Sequence, residues 1–263
     1  MARIAVAATA PFGADVLERL ARAHDVAVLV TRLSKPAGRG RRVTPPPAKI
    51  VAERLGIPVL QVDRFYDFDS DEVDVMIVAA FGLIIPSAAL KRALWLNVHP
   101  SLLPRWRGAA PVERTIMAGD RETGVTIHET VEALDAGPIA ARRAFPVAPG
   151  DDAGAVYARA AEVAAELLRD VLAEDEPRFA PQSEEGVTYA EKIRPEDREL
   201  DPAAPPAQLV NRVRALSPHI GARLGDLMVW RARVGDDGSF EPVEVQPSGG
   251  RRMVYDAYLR GRR

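Results

Sequence analysis

The chain has 263 residues with 35 basic and 37 acidic side chains, a formal charge of −2, and 47% hydrophobic residues. This balance excludes a disordered, collagen-like or low-complexity chain, because enough apolar surface can be buried to offset the chain entropy. The absence of cysteine excludes a disulfide framework, a zinc ribbon, an iron–sulfur cluster and a thiol nucleophile.

The N-terminal part alternates short apolar runs with segments of helical spacing. Near-continuous β-branched runs predict strands buried on both faces at residues 3–8, 26–31 and 74–80. Apolar residues at helical spacing predict helices at 14–23 and 47–55. This alternation predicts an α/β fold with a Rossmann-like, mostly parallel sheet.

The turn after the first strand argues against a dinucleotide site. It reads Ala8-Thr9-Ala10-Pro11-Phe12-Gly13, without the G-x-G-x-x-G spacing that such a site requires. The N-terminus also turns polar too early for a signal peptide or a spanning helix. We therefore expect a cytoplasmic protein with no membrane partner, and not a nucleotide-dependent dehydrogenase.

Basic residues cluster in two places although the total charge is near zero. The stretch from Arg32 to Lys49 holds several basic residues and no acid, and the tail from Arg251 to Arg263 has Asp256 as its only acid. Grouped positive charge attracts polyanions, although a solvated loop and a frayed end would have the same composition. Because prolines and glycines interrupt the first cluster, we expect an irregular, mobile loop there that contacts phosphates.

The second half of the chain changes its pattern. Strands are predicted at 95–100, 123–129 and 138–147, a short helix at 110–118, and a long helix at 152–173 capped by Asp151 or Asp152. A Pro, Asp and Glu-rich stretch at 195–206 suits a linker, followed by a helix at 206–216 and strands at 227–234 and 241–245. We expect a catalytic domain at residues 1–195 and a small module at 205–263.

One region concentrates polar side chains that are capable of chemistry. Asn97 and His99 are two residues apart in a predicted strand and therefore face the same side, and Asp135 lies in a later turn. An Asn amide can stabilise an oxyanion, a His can move a proton, and a carboxylate can orient the His ring. No nucleophile accompanies them, so the attacking group is expected to come from the substrate. A hydrogen-bonded turn would produce the same residues, and the spacing alone leaves both readings open.

The motifs around these residues resemble one family. Asn97-Val-His99-Pro-Ser-Leu-Leu-Pro104, Arg107-Gly-x-x-Pro111, Thr123-Gly-Val-Thr126-Ile and Asp135-x-Gly-Pro-Ile139 are similar to the formyltransferases that use 10-formyltetrahydrofolate. Within them, the match is closest to the branch that acts on methionyl-tRNA, because Lys35–Gly40, Gly56–Gln61 and Ala80–Pro86 also agree.

The resemblance implies a role for each motif. Asn97, His99 and Asp135 would be the catalytic triad, and no metal is implied. The donor 10-formyltetrahydrofolate would be bordered by Ser101, Leu102, Leu103 and Pro104, with its pterin held by the backbone of Phe81, Gly82 and Leu83. The acceptor methionyl-tRNA would meet the basic loop at Arg39, Arg41 and Arg42. We expect a monomer.

The C-terminal part departs from the family. Residues 214–222 and 244–261 resemble the two ends of its C-terminal barrel, but the strands between them are mostly absent. Since an OB-type barrel needs about five strands to close, we expect a partial, open OB-like sheet. Two alternatives remain open, namely an N-formyltransferase acting on an amino sugar nucleotide and an RNA-binding relative without catalysis.

Overall fold

A computed structural model of the protein describes residues 3–37, 42–64 and 73–261. Its contacts group the chain into two compact units. The first unit comprises residues 1–107, 124–144 and 158–187, and the second comprises 108–123, 145–157 and 188–263. The domain limits predicted from the sequence, 1–195 and 205–263, stay a prediction.

The elements follow one another in the predicted alternation. The strands are β1 (Ile4–Ala8), β2 (Val26–Arg32), β3 (Lys35–Ala37), β4 (Arg42–Thr44), β5 (Val59–Val62), β6 (Val75–Ala79), β7 (Leu94–His99), β8 (Arg107–Gly108), β9 (Glu122–Glu129), β10 (Ile139–Pro146), β11 (Tyr189–Ala190), β12 (Ala222–Leu224), β13 (Leu227–Val234), β14 (Phe240–Pro247) and β15 (Met253–Val254). The helices are α1 (Pro11–Leu20), α2 (Pro47–Leu55), α3 (Ser87–Leu90), α4 (Pro111–Ala118), α5 (Ala153–Leu172), α6 (Pro206–Leu216) and α7 (Tyr255–Arg260).

The first unit contains a seven-stranded sheet in the order β10-β9-β7-β6-β1-β2-β5. From β7 to β5 all neighbouring strands are parallel, and β9 runs antiparallel to β7. Every residue of the central strand β1 is buried, as its apolar sequence Ile-Ala-Val-Ala-Ala requires of a strand covered on both faces. The predicted mostly parallel α/β fold is confirmed.

Helix boundaries follow from proline, glycine and aspartate. Helix α1 begins at Pro11, three residues earlier than predicted, because a proline in the first turn loses no hydrogen bond and has a suitable φ. Helix α2 has the predicted bounds and ends at Gly56, whose φ of 71° is left-handed. Helix α5 is capped by Asp152, whose carboxylate accepts a hydrogen bond from the Ala155 N–H at 2.9 Å.

The basic segment after β2 is more regular than predicted. Strands β3 and β4 pair antiparallel, with Lys35 opposite Thr44 and Pro36 opposite Val43. The prediction of an irregular loop is therefore wrong for these strands, since a two-stranded ribbon has free edges on which a proline is tolerated. Residues 38–41, with Arg39 and Arg41, lie outside the described residues, and Arg42 is described by its backbone alone.

The second unit holds a smaller antiparallel sheet in the order β12-β13-β14-β15. It packs on α6 around a core of seven buried residues: Leu200, Leu209, Val213, Leu216, Ala222, Val229 and Val245. Four antiparallel strands in linear order agree with the small β-rich module expected from the sequence. Among the residues that the structure describes, no helix is long and apolar enough to span a bilayer.

The segment predicted as a linker is packed into the second unit. Leu200 is buried, and its N–H donates to the Arg223 carbonyl at 2.8 Å. The Asp197 carboxylate accepts two hydrogen bonds from Arg114, at 2.9 and 2.8 Å. The prediction of a free linker from composition is wrong here, because backbone pairing and a bidentate ion pair hold the segment in place.

The close approach of α1 to the sheet generates a stability prediction. A Cβ at Gly13 would lie 2.2 Å from the Ala79 carbonyl oxygen and 2.8 Å from the Ala8 Cβ. Gly13→Ala should lower the free energy of unfolding by roughly 1–3 kcal/mol, because a backbone atom cannot give way as a side chain can. Gly150→Ala is the matched control, since no atom lies within 4 Å of its Cβ position. Equal thermal midpoints for the two variants would contradict this packing.

Candidate active site

The register between β7 and β9 assembles the polar cluster. Asn97 lies opposite His128, and His99 lies opposite Thr126. Because alternate residues of a strand share a face and partners across a ladder face the same way, these four side chains lie on one side of the sheet. Asn97 and His99 share this face because they are two residues apart near the end of β7, as the sequence predicted.

The amide of Asn97 connects the cluster to Asp135. Its Nδ2 donates to the Asp135 Oδ1 at 3.1 Å and lies 3.2 Å from the His128 Nε2. The carboxylate can only accept, so the amide must present its NH2 group to these two atoms. Both N–H donors of Asn97 are therefore engaged.

His99 is held by a backbone carbonyl at one ring nitrogen and faces a carboxylate with the other. Its Nε2 lies 2.8 Å from the Trp106 carbonyl oxygen, and its Nδ1 lies 3.7 Å from the Asp135 Oδ2. Because a carbonyl only accepts, Nε2 carries the hydrogen and the neutral ring presents the lone pair of Nδ1. A proton taken up at Nδ1 would face the Asp135 carboxylate.

His128 is a buried, neutral member of the cluster. Its side chain is buried, and its Nδ1 donates to the Glu129 carbonyl at 2.9 Å, so its Nε2 is the acceptor for Asn97. Burial, and then the nearby His99, lower the pKa of His128 from 6.5 to about 4. The imidazole therefore stays neutral near pH 7 and fixes the orientation of the Asn97 amide.

The loop that carries Asp135 is closely fitted to the end of β9. Asp135 has a φ of 46°, a left-handed conformation that is costly for a residue with a Cβ. A Cβ at Gly137 would lie 1.8 Å from the Glu129 carbonyl oxygen, so only glycine allows this approach. The Glu129 N–H donates to the Pro138 carbonyl at 2.9 Å, which ties the loop to the strand.

The turn after β7 is held by hydrogen bonds to β9. The Thr126 hydroxyl donates to the Ser101 carbonyl at 2.7 Å and accepts from the Leu103 N–H at 3.1 Å. The Ser101 hydroxyl in turn donates to the Arg105 carbonyl at 2.7 Å. These bonds set the course of the chain to Trp106, whose carbonyl holds His99.

The residues predicted to border a folate differ in accessibility. Ser101 and Leu103 are fully buried, whereas Leu102 and Pro104 are half-buried and can offer their side chains to a ligand. On the other predicted segment, Phe81 is buried, Leu83 is half-buried and Gly82 is exposed with a φ of 74°. The assignment of these residues to the donor stays a prediction, with the accessible members as its direct contacts.

The sequence patterns alone assigned no role to His128 or Trp106. For His128 a signal existed, since strand alternation places it on the face of Thr126 in the predicted strand at 123–129. For Trp106 none existed, because its contribution is a backbone carbonyl that every residue type has.

Comparison with known proteins identifies the family. Residues 2–172 match the family described as formyl transferase. The methionyl-tRNA formyltransferase of Halorhodospira halophila is 40% identical over 301 aligned positions, which cover 100% of this chain and 97% of the relative. That of Dechloromonas aromatica is 34% identical over 293 positions, covering 98% of this chain and 95% of the relative.

Solved structures share the fold. An N-formyltransferase from Helicobacter canadensis, crystallised with folinic acid and dTDP-3-aminofucose, has a TM-score of 0.68 at 16% identity and covers 90% of this chain and 89% of that chain. HypX from Aquifex aeolicus, in complex with tetrahydrofolic acid, has a TM-score of 0.65 at 20% identity over 98% of this chain and 47% of that chain. The chain belongs to the formyl transferase family and is a formyltransferase.

The neutral state of His128 generates a prediction on pH. Between about pH 6.5 and 4 the unfolded chain binds a proton at this residue and the folded protein does not, so stability falls as pH falls through this window. The full loss is about 3 kcal/mol for this one group. His128→Gln should therefore show a weaker loss of unfolding free energy from pH 7 to 4.5 in urea titrations.

The matched control is His219→Gln at an exposed position, which should keep the pH dependence of the original protein. Identical slopes for His128→Gln and the unmodified chain would show that His128 is not held neutral by the fold.

Proposed function

We propose that the protein transfers a formyl group from 10-formyltetrahydrofolate to the α-amine of methionyl-tRNA. The observation that supports the reaction type is the cluster in which Asp135 contacts Asn97 at 3.1 Å and His99 at 3.7 Å, with no hydroxyl or thiol among these three residues. The acceptor is supported by relatives named methionyl-tRNA formyltransferase that align with nearly the whole chain. A cytoplasmic, monomeric enzyme is part of the same proposal.

The amine of the acceptor attacks the formyl carbon, and the C–N bond to the folate then breaks. An α-amino group has a pKa of about 8, so a useful fraction is already neutral at pH 7. The attack makes a tetrahedral oxyanion, and Asn97 is a neutral donor in contact with the acid–base pair. Both N–H groups of Asn97 are hydrogen-bonded before the reaction. The N–H that contacts Asp135 must therefore leave the carboxylate in order to donate to the oxyanion.

His99 and Asp135 move the proton from the attacking amine to the leaving nitrogen. The Nδ1 of His99 carries the lone pair that can accept a proton, because Nε2 is bonded to the Trp106 carbonyl. A proton taken up at Nδ1 faces the Asp135 carboxylate. The Trp106 carbonyl keeps the ring from turning while this happens. When His99 is protonated, its Nδ1–H can also donate to the oxyanion. The same ring therefore transfers the proton and stabilises the negative charge.

The folate is supported by the chemistry of the residues predicted to border it. Leu102 and Pro104 offer apolar surface next to the cluster, and Gly82 offers an exposed backbone without a side chain. Apolar walls with few polar groups suit an aromatic pterin. Related folds have been solved with folinic acid and with tetrahydrofolic acid, which agrees with a donor of this class.

Variants of the cluster test the catalytic roles. Asn97→Ala, His99→Ala and Asp135→Ala should each lower kcat by roughly 10²–10⁴ with little change in folate binding, because they act on the transition state. His219→Ala, at an exposed position, is the control and should keep full kcat. Near-normal kcat in any of the three would remove that residue from the proposal.

Competing acceptors test the substrate. The enzyme with labelled 10-formyltetrahydrofolate should formylate methionyl-tRNA and not amino sugar nucleotides. Replacing Arg39, Arg41 and Arg42 by Ala should raise KM for the tRNA by on the order of tenfold and lower its salt dependence, because phosphate contacts are lost.

The control removes three exposed basic residues elsewhere, Lys91, Arg121 and Arg178, and should leave KM unchanged. Labelling of an amino sugar, with kinetics indifferent to the basic loop, would instead favour a sugar N-formyltransferase.

A further inference from the structure

A single glutamine amide connects the two sides of the active site. The Nε2 of Gln182 donates to the carbonyl oxygens of Asp135 and Gly137, both at 2.8 Å. Its Oε1 accepts from Arg107 at two atoms, with the Nε at 3.1 Å and the NH2 group at 2.8 Å. Both donors and the oxygen are engaged, and the amide cannot flip, because Arg107 only donates and the carbonyls only accept.

Arg107 also continues the turn that holds His99. It follows Trp106 directly, and the Trp106 carbonyl lies 2.8 Å from the Nε2 of His99. The chain of contacts therefore runs from the His99 ring through Trp106 and Arg107 to Gln182 and on to the backbone of Asp135. The guanidinium of Arg107 is buried, so its fork is fixed in place.

The loop needs such support because Asp135 adopts an unfavourable conformation. Its φ of 46° persists only if the surroundings hold it, and its carboxylate must stay 3.7 Å from the His99 Nδ1. Gly137 fits closely at the end of β9, and Gln182 holds the carbonyls of both residues. Displacement of this loop would move the carboxylate away from His99 without removing either side chain.

We propose that Gln182, fixed by Arg107, is a positioning residue that sets the distance between the Asp135 carboxylate and the His99 ring and thereby the rate of formyl transfer. This inference rests on the function proposed above. Gln182 lies outside the residues 2–172 that match the family and outside every motif of the resemblance, so nothing in the sequence assigns it a role.

The test combines kinetics with NMR of the imidazole groups in the full-length protein. Gln182→Met removes the donors at nearly constant volume, and Gln182→Glu keeps the acceptors for Arg107 but loses the donors to the loop. Arg107→Lys keeps the buried charge and loses the fork. Gln208→Met, at an exposed position of α6, is the matched control.

Gln182→Met should lower kcat by on the order of tenfold or more, with KM for donor and acceptor within about threefold, since misplacement of a catalytic group affects the transition state. Without substrates, the ring-nitrogen chemical shifts of His99 at a fixed pH should change, because the ring loses its carboxylate neighbour. Adding Gln182→Met to Asp135→Asn should change these shifts no further. Gln208→Met should match the unmodified protein in each measurement.

Unchanged kcat and unchanged His99 ring-nitrogen shifts in Gln182→Met would overturn the proposal. So would a kcat loss that only follows a loss of folded protein, or a further change of these shifts in the double variant. If Gln182→Met does not fold, Gln182→Glu and Arg107→Lys are judged by the same two measurements. The NMR measurement on His99 needs no acceptor, so it decides on Gln182 even if methionyl-tRNA proves to be the wrong substrate.

Discussion

The antiparallel pairing of β9 with β7 is the constraint on which the site depends. A strand parallel to β7 would set its residues against β7 in a different hydrogen-bond pattern. Here the reversal puts His128 directly opposite Asn97 and brings the loop with Asp135 back to the same two residues. The turn after β7 is tied to β9 through Thr126, so one pairing positions every polar group of the cluster.

His128 adds no charge to the cluster near pH 7. Two imidazoles and one carboxylate lie close together among buried neighbours, and the two rings are 6.2 Å apart. Burial disfavours the charged form of His128, and the nearby His99 adds repulsion, so the pKa of His128 falls to about 4. The Nδ1 of His99 faces Asp135. A neutral His128 can accept from Asn97, whereas a protonated one would repel that donor.

Backbone groups orient the two imidazole rings of the site. The carbonyls of Trp106 and Glu129 each fix the tautomer of one ring without adding charge. Trp106 and Asp135 both have left-handed φ values, 65° and 46°. The strained backbone therefore lies at the two residues that orient the His99 ring. The surrounding hydrogen bonds, including those from Gln182, maintain these conformations.

The sequence by itself determined the α/β architecture, because burial on both faces of a strand and helical spacing are patterns among near neighbours. It also indicated Asn97 and His99 through their spacing of two, and it gave the bounds of α2 and α6. Tertiary structure alone decided the pairing of Asn97 with His128, the role of the Trp106 carbonyl and the contact of Gln182 with Asp135 across 47 residues. It likewise decided that the residues after Pro195 pack and that β3 pairs with β4. Register and backbone hydrogen bonds depend on partners that are distant in the chain, and the local sequence pattern does not identify those partners.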